Sequence, residues 1–230
     1  MIGRLRTLGI VLAVFSLVFM AAGAFTAYKV NDGRNALQAF SAAQNVRLSY
    51  DANGQFVSGG SAEEGAAILA LLKNDWGYNV VPWEMDRNDP LVNTPSEYMV
   101  QMATIAYHTL HSTQTVVLPT DVTATDGTVY PAGTYQFPVD GKYFSEFNRA
   151  NPIEAKARDQ AWSALAHGLT AELGVGSVTG STLQMGAGLA ALFFGVGLVT
   201  LTAGAGLVWA TRAATKEAKV AELKLSPMPA

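Results

Sequence analysis

Cysteine is absent from the 230 residues. Disulfides, zinc–thiolate sites and a cysteine nucleophile are therefore excluded. A bacterial envelope domain tolerates this absence, whereas a small secreted eukaryotic domain usually needs such staples. Charged residues make up only 14% of the chain, and histidine occurs three times, so polar chemistry has few places to reside. No GxSxG elbow, no P-loop and no HExxH pair occurs. Gly174-Val-Gly176 looks like the start of a dinucleotide loop, but it follows a helical pattern and its third glycine is misplaced. Nucleic acid is not an expected partner, because the middle of the chain is acidic and binding would need a basic patch.

What the chain has instead is two long uncharged runs. Thr7 to Tyr28 carries no charge and follows Arg4 and Arg6. At about 1.5 Å per residue it reaches roughly 30 Å, the thickness of a bilayer core. Two readings are open: a retained anchor, or a signal peptide cleaved near Ala22-Gly23-Ala24. The second run follows Leu173 and meets no charge until Arg212; its centre is Met185 to Trp209. Beyond it come Arg212, Lys216, Lys219 and Lys224. Basic residues thus flank both runs on the sides of the chain ends. The excess of Lys and Arg places both termini in the cytoplasm. The middle, 29–182, holds nine Lys and Arg against sixteen Asp and Glu, a net of −7. Tyr28 and Trp209 stand where interfacial aromatics anchor helices.

The expected organisation is a cytoplasmic start (1–6), a first transmembrane helix (7–28), a single extracytoplasmic α+β domain (29–182), a second transmembrane helix (183–210) and a cytoplasmic tail (211–230). The expected location is the bacterial plasma membrane, with two crossings. Small residues in membrane helices mark close packing. In the first helix Gly9, Ala13, Ser16, Met20, Gly23 and Ala27 share a face. The second helix has two small faces. One carries Gly188, Ala191, Gly195, Thr202 and Gly206, the other Gly186, Ala190, Gly197 and Gly204. One first-helix face can use only one of them. The other is left for lipid, for a second copy or for another membrane protein, and Gly197 with Gly204 is the pair to substitute in testing it.

The exterior reads in order as follows. Asn31-Asp32-Gly33 predicts a turn, and Arg34 to Ala43 a short helix. Val46, Leu48 and Tyr50 alternate as in a half-buried strand, and Asn53-Gly54 predicts a hairpin into Gln55 to Val57. Ser61-Ala-Glu-Glu64 predicts a capping box before a helix over 62–73. A long loop, Trp76 to Pro95, holds Pro82, Trp83, Glu84, Asp86 and Asp89, and long ordered loops are often functional. Thr94 or Ser96 caps a helix over 96–112. Val116 to Leu118, Val122 to Ala124, Thr128 to Tyr130 and Thr134 to Phe137 predict a small antiparallel meander. Asn151 caps a helix that starts at Pro152 and stops at Gly174.

His108-x-x-His111 is the one metal-like spacing, because residues three apart share a helix face, and His167 is the only other imidazole. No acidic residue sits at a matching offset, so a polar helix face is the simpler account. The acidic residues of the 76–95 loop lack the spacing of a calcium loop. No cofactor is expected.

Three segments resemble a group of uncharacterised actinobacterial two-span membrane proteins: Asn88 to Pro119, Ala132 to Pro152 and Ala157 to Gly186. Some simpler relatives have a GK-Tyr-x-Glu segment, matched partly here by Gly141-Lys142-Tyr143-Phe144-Ser145-Glu146. The resemblance implies a bacterial plasma-membrane location and no mechanism. Some members carry a ring-opening dioxygenase label, which is not carried over because no iron site supports it. The expected role is a non-enzymatic accessory or interaction subunit of a membrane or envelope assembly. The alternative is an extracytoplasmic ligand-binding, metal-binding or catalytic protein that uses the His108/His111 face.

Overall fold

The computed structural model describes residues 2–225, with side chains up to 218 and at 220. The expected tail residues Lys219 and Lys224, and 226–230, lie outside the described side chains. The chain forms two compact units. One is built from the first 36 residues and from Thr182 onward, the other from Leu37–Ser181. Two long apolar helices, each long and apolar enough to cross a membrane, lie either side of a small sheet-containing region in the sequence.

In the first unit, α1 (Ile2–Gln44) up to Ala36 and α5 (Ala164–Leu225) from Thr182 pack antiparallel along their small residues. Gly9 lies against Gly204, Ser16 and Met20 against Gly197, and Gly23 against Ala190. Both series step by seven residues, the spacing that keeps one seam facing a partner helix. A Cβ on Gly204 would lie 2.6 Å from the carbonyl oxygen of Gly9, so the two backbones touch. Near the far end the contacts change to large against small: Val30 against Gly186, and Leu183 against Gly33.

Two expected helix breaks are corrected. Asn31-Asp32-Gly33 is not a turn; α1 runs through it to Gln44 and absorbs the short helix expected over 34–43. Alanine, leucine and glutamine dominate the residues after Gly33, and their helix propensity outweighs one glycine. The helix ends at Asn45, whose φ of 50° is the left-handed conformation that closes many helices. Gly174 likewise does not end a helix; α5 continues through it. The glycines there are contact points: a Cβ on Gly176 would meet the Tyr98 ring at 2.6 Å, and one on Gly180 would meet Pro95 at 3.0 Å. The break comes earlier, at Trp162 and Ser163, between α4 (Pro152–Ala161) and α5.

In the second unit the end of α1 is followed by a hairpin of β1 (Ser49–Tyr50) and β2 (Phe56–Val57), closed at Gly54 with φ 81°. Then come α2 (Ala62–Ala70), a π-helical turn over Leu71–Asp75 and α3 (Pro95–Leu110). The cap of α3 is Thr94, in a complete capping box with Glu97. At α2 only half of the expected box forms. Ser61 accepts from the Glu64 N–H, but the Glu64 carboxylate turns to Ser58 and His108.

The expected meander is corrected to nested pairs. β3 (Thr113–Leu118) pairs antiparallel with β6 (Gly133–Pro138), and a separate hairpin of β4 (Val122–Thr123) and β5 (Val129–Tyr130) is inserted between them. α4 covers the β3–β6 pair. Ile68, Leu72, Val100, Val116, Leu118 and Val139 form the centre of the core.

Candidate functional site

The long loop before α3 is fixed by polar contacts to that helix's N-terminus. The buried Glu84 carboxylate accepts from the Ser96 N–H at 2.9 Å and from its hydroxyl at 2.6 Å. Thr94 donates its hydroxyl to the Glu84 carbonyl at 3.0 Å, and the Val81 N–H donates to Ser96 Oγ at 3.0 Å. Glu97, 1% exposed, accepts from the N–H groups of Asn93 and Thr94 at 3.1 and 3.0 Å. Two carboxyl groups thus accept from backbone N–H groups at the start of α3. Asp86 accepts from Asn88, and Asp89 from Asn93, both within the loop. The loop's acidic residues therefore order its backbone and do not converge on an open cleft.

Burial raises the Glu97 carboxyl to about 7, against the opposing pull of the Asn93 and Thr94 hydrogen bonds. A carboxyl whose folded pKa lies above its unfolded value binds protons better when folded. Its contribution to stability is complete below about pH 4.5 and is lost as pH rises through about 7. The expected loss is of the order of 3 kcal/mol. Glu97→Gln keeps an acceptor for the same N–H groups and cannot ionise. Thermal melts between pH 4.5 and 8 should show the wild type declining relative to Glu97→Gln. Parallel curves would refute the assignment. Tyr50, whose buried hydroxyl lacks a partner among the described residues, is raised to about 12 by burial and then by the nearby Glu97 and Asp86.

The three histidines occupy three different surroundings. His108 Nε2 lies 3.3 Å from Glu64 Oε1 and 3.2 Å from Ser58 Oγ. Ser58 is buried and donates to the same Glu64 oxygen at 2.6 Å. This differs from a nucleophilic triad, in which one imidazole nitrogen faces the serine and the other the carboxylate. Here one nitrogen meets both groups and the serine proton goes to the carboxylate. The cluster clasps α2 and the end of β2 to α3. His111 turns back, its Nδ1 2.8 Å from the Tyr107 carbonyl and its ring 4.1 Å from that of Tyr107. His167 packs edge-on against Phe144 and near Trp162. Among the described residues, no three His, Cys, Asp or Glu side chains are grouped to hold a metal ion.

The glycines of α5 separate cleanly. Gly186, Gly197 and Gly204 face α1. Gly188, Gly195 and Gly206 are open: among the described residues, apart from the helix's own backbone, no atom would lie within 4 Å of a Cβ at any of them. Gly197 and Gly204, the pair expected to probe an outside partner, therefore probe packing within the chain. Both faces step by seven in the sequence, so spacing alone could not choose between them.

Sequence reasoning missed two features. One is a partly open, mainly apolar cavity of about 170 Å³ lined by Phe40, Val46, Val92, Ile105, Leu169 and Leu173, with Ser41 Oγ 2.6 Å from the Tyr98 hydroxyl at its wall. The other is a basic concavity lined by Arg6, Trp209, Arg212 and Lys216. Each joins residues far apart in the chain, which no local pattern reveals. Compared with family models, curated proteins and solved structures, the chain matches none.

Proposed function

We propose that the chain is a two-span integral protein of a bacterial plasma membrane, with both termini cytoplasmic and the α+β unit outside. Its role is non-catalytic, as an accessory or interaction subunit of a membrane assembly. One observation carries the membrane reading: the apolar helices turn their large side chains outward. Val14, Phe15, Leu17, Val18 and Phe25 on α1, and Leu192, Leu198 and Val199 on α5, are all more than half exposed. Only 17% and 11% of the most apolar stretches of the two helices are buried. A core helix of a water-soluble protein would bury most of that surface, and lipid is the solvent that suits it. The close fit of Gly9 and Gly23 against α5 favours a retained first helix over a cleaved signal. The resemblance to actinobacterial two-span proteins is what points to a bacterial membrane.

A partner fits the open face of α5. Glycine facing lipid contributes no side chain to anchor the helix, whereas glycine facing another helix lets the backbones approach.

The absence of native cysteine makes the topology directly testable. A membrane-impermeant maleimide should label Ala52→Cys in intact cells, and Ala218→Cys only after lysis; both positions are exposed. Labelling of Ala218→Cys in intact cells, or recovery of the protein in the soluble fraction, would overturn the reading.

A further inference from the structure

We propose that the basic ends of α1 and α5 form a binding site for an anionic phospholipid, with its phosphate on Arg6, Arg212 and Lys216 and one acyl chain in the groove between the helices. The proposal rests on the membrane reading above. The headgroup part is a concavity of about 540 Å³ lined by Arg6, Trp209, Thr211, Arg212, Thr215 and Lys216. Three cations share it, and among the described residues no carboxylate lines it. Among the described residues none of the three forms an ion pair. The two threonine hydroxyls are spent on helix carbonyls, Thr211 on Leu207 and Val208, and Thr215 on Thr211. Among the described side chains the three cations are left as the binding groups, which suits a phosphate.

A second hollow distinguishes a lipid from a free anion. A groove of about 420 Å³ shares Trp209 and Arg212 with the basic concavity and continues along Val208, Ala205, Val14 and Leu17. Its walls beyond Arg212 are apolar. The arrangement is a charged pocket at the helix ends, an indole 75% exposed at the junction, and an apolar channel running toward the middle of the helix pair. That matches the order of a phospholipid: phosphate, glycerol, acyl chain. An inorganic anion has no use for the channel. The cationic lining among the described residues also selects the headgroup class. A zwitterionic headgroup would bring its amine among three cations with nothing to pair it, so an anionic headgroup such as phosphatidylglycerol is preferred.

The test uses the full chain reconstituted in phosphatidylcholine vesicles, with spin-labelled phosphatidylglycerol or phosphatidylcholine added as probe. Flotation with the vesicles is checked first, because a protein that does not float has failed the membrane reading and not this one. The immobilised fraction should favour phosphatidylglycerol. Arg212→Gln should lower that preference about five-fold, at about 1 kcal/mol per cation near a membrane surface. Arg4→Gln removes an equal charge outside the concavity and should change it clearly less than Arg212→Gln does. Ala205→Phe fills the groove at constant charge and should release the probe. Equal losses in Arg4→Gln and Arg212→Gln would reduce the effect to general surface charge and overturn the site. Full displacement by excess inorganic phosphate, with Ala205→Phe unchanged, would replace the lipid by a free anion.

Discussion

Gly204→Leu should weaken the α1–α5 pair, whereas Gly195→Leu, nine residues earlier on the open side of the same helix, should not. The difference lies in what each new side chain meets. At Gly204 even a Cβ would lie 2.6 Å from the Gly9 carbonyl oxygen and 2.9 Å from the Ala13 nitrogen. Both are backbone atoms and cannot rotate away, so the helices must separate and lose contacts along their small-residue seam. Overpacking of this kind costs about 2–3 kcal/mol, and a helix pair in lipid has little hydrophobic drive to recover it. At Gly195 the same leucine enters open space. Melting of the purified protein in mild detergent should drop for Gly204→Leu and hold for Gly195→Leu. Gly195→Leu should instead reduce co-purification with a second copy or a partner. If both variants melt alike, the seam is misassigned. If Gly195→Leu leaves every association intact, the open face is not an interface.

The second large effect is in the α+β unit. Gly65→Ala should destabilise it by about 3 kcal/mol or more, at the upper end of overpacking costs. A Cβ there would overlap the Phe56 carbonyl oxygen and lie 3.0 Å from its carbon and 3.1 Å from Val57 Cα. All three atoms belong to the backbone of β2, so α2 would have to lift off the hairpin. Lifting would also strain the Ser58–Glu64–His108 cluster, which ties the same two elements to α3. Gly168→Ala is the matched control: nothing lies within 4 Å of its Cβ, and alanine in a helix is favoured over glycine by about 1 kcal/mol. Urea or thermal unfolding should move the two variants in opposite directions. A wild-type-like Gly65→Ala would show that α2 sits farther from β2 than described.

The sequence carried the features that depend on neighbouring residues. The uncharged runs mark the two long helices. Asn53-Gly54 marks the first hairpin, and Thr94 with Glu97 and Asn151 with Pro152 mark helix starts, because caps and tight turns are local chemistry. Glycine was the main failure. Gly33 and Gly174 look like breaks in a linear reading, yet both lie inside helices. Glycine lowers helix propensity but also lets another element approach, and which role wins depends on what lies opposite. The nested sheet was hidden for a related reason. β3 skips two intervening strands to pair with β6, and strand signals do not state partners. The His108/His111 spacing did place both residues on α3, but it could not show one ring turning to Glu64 and the other folding back on Tyr107. Arg6 and Arg212 meet at one concavity because the helices are antiparallel, which charge counting registers only as two basic ends.

The seven-residue ladder between α1 and α5 leaves an ambiguity that the chain resolves at one end. Sliding one helix by seven residues would set Gly9 against Gly197 and Ser16 against Ala190, or Ser16 against Gly204 and Gly23 against Gly197. Either shift is small against small, so the glycine rungs are nearly indifferent to alignment. Val30 against Gly186 and Leu183 against Gly33 are not. The shift that pairs Gly23 with Gly197 would drive Val30 into Phe193. The rungs therefore supply closeness, and the bulky pairs near Gly33 and Gly186 act as a key that shuts out that shift.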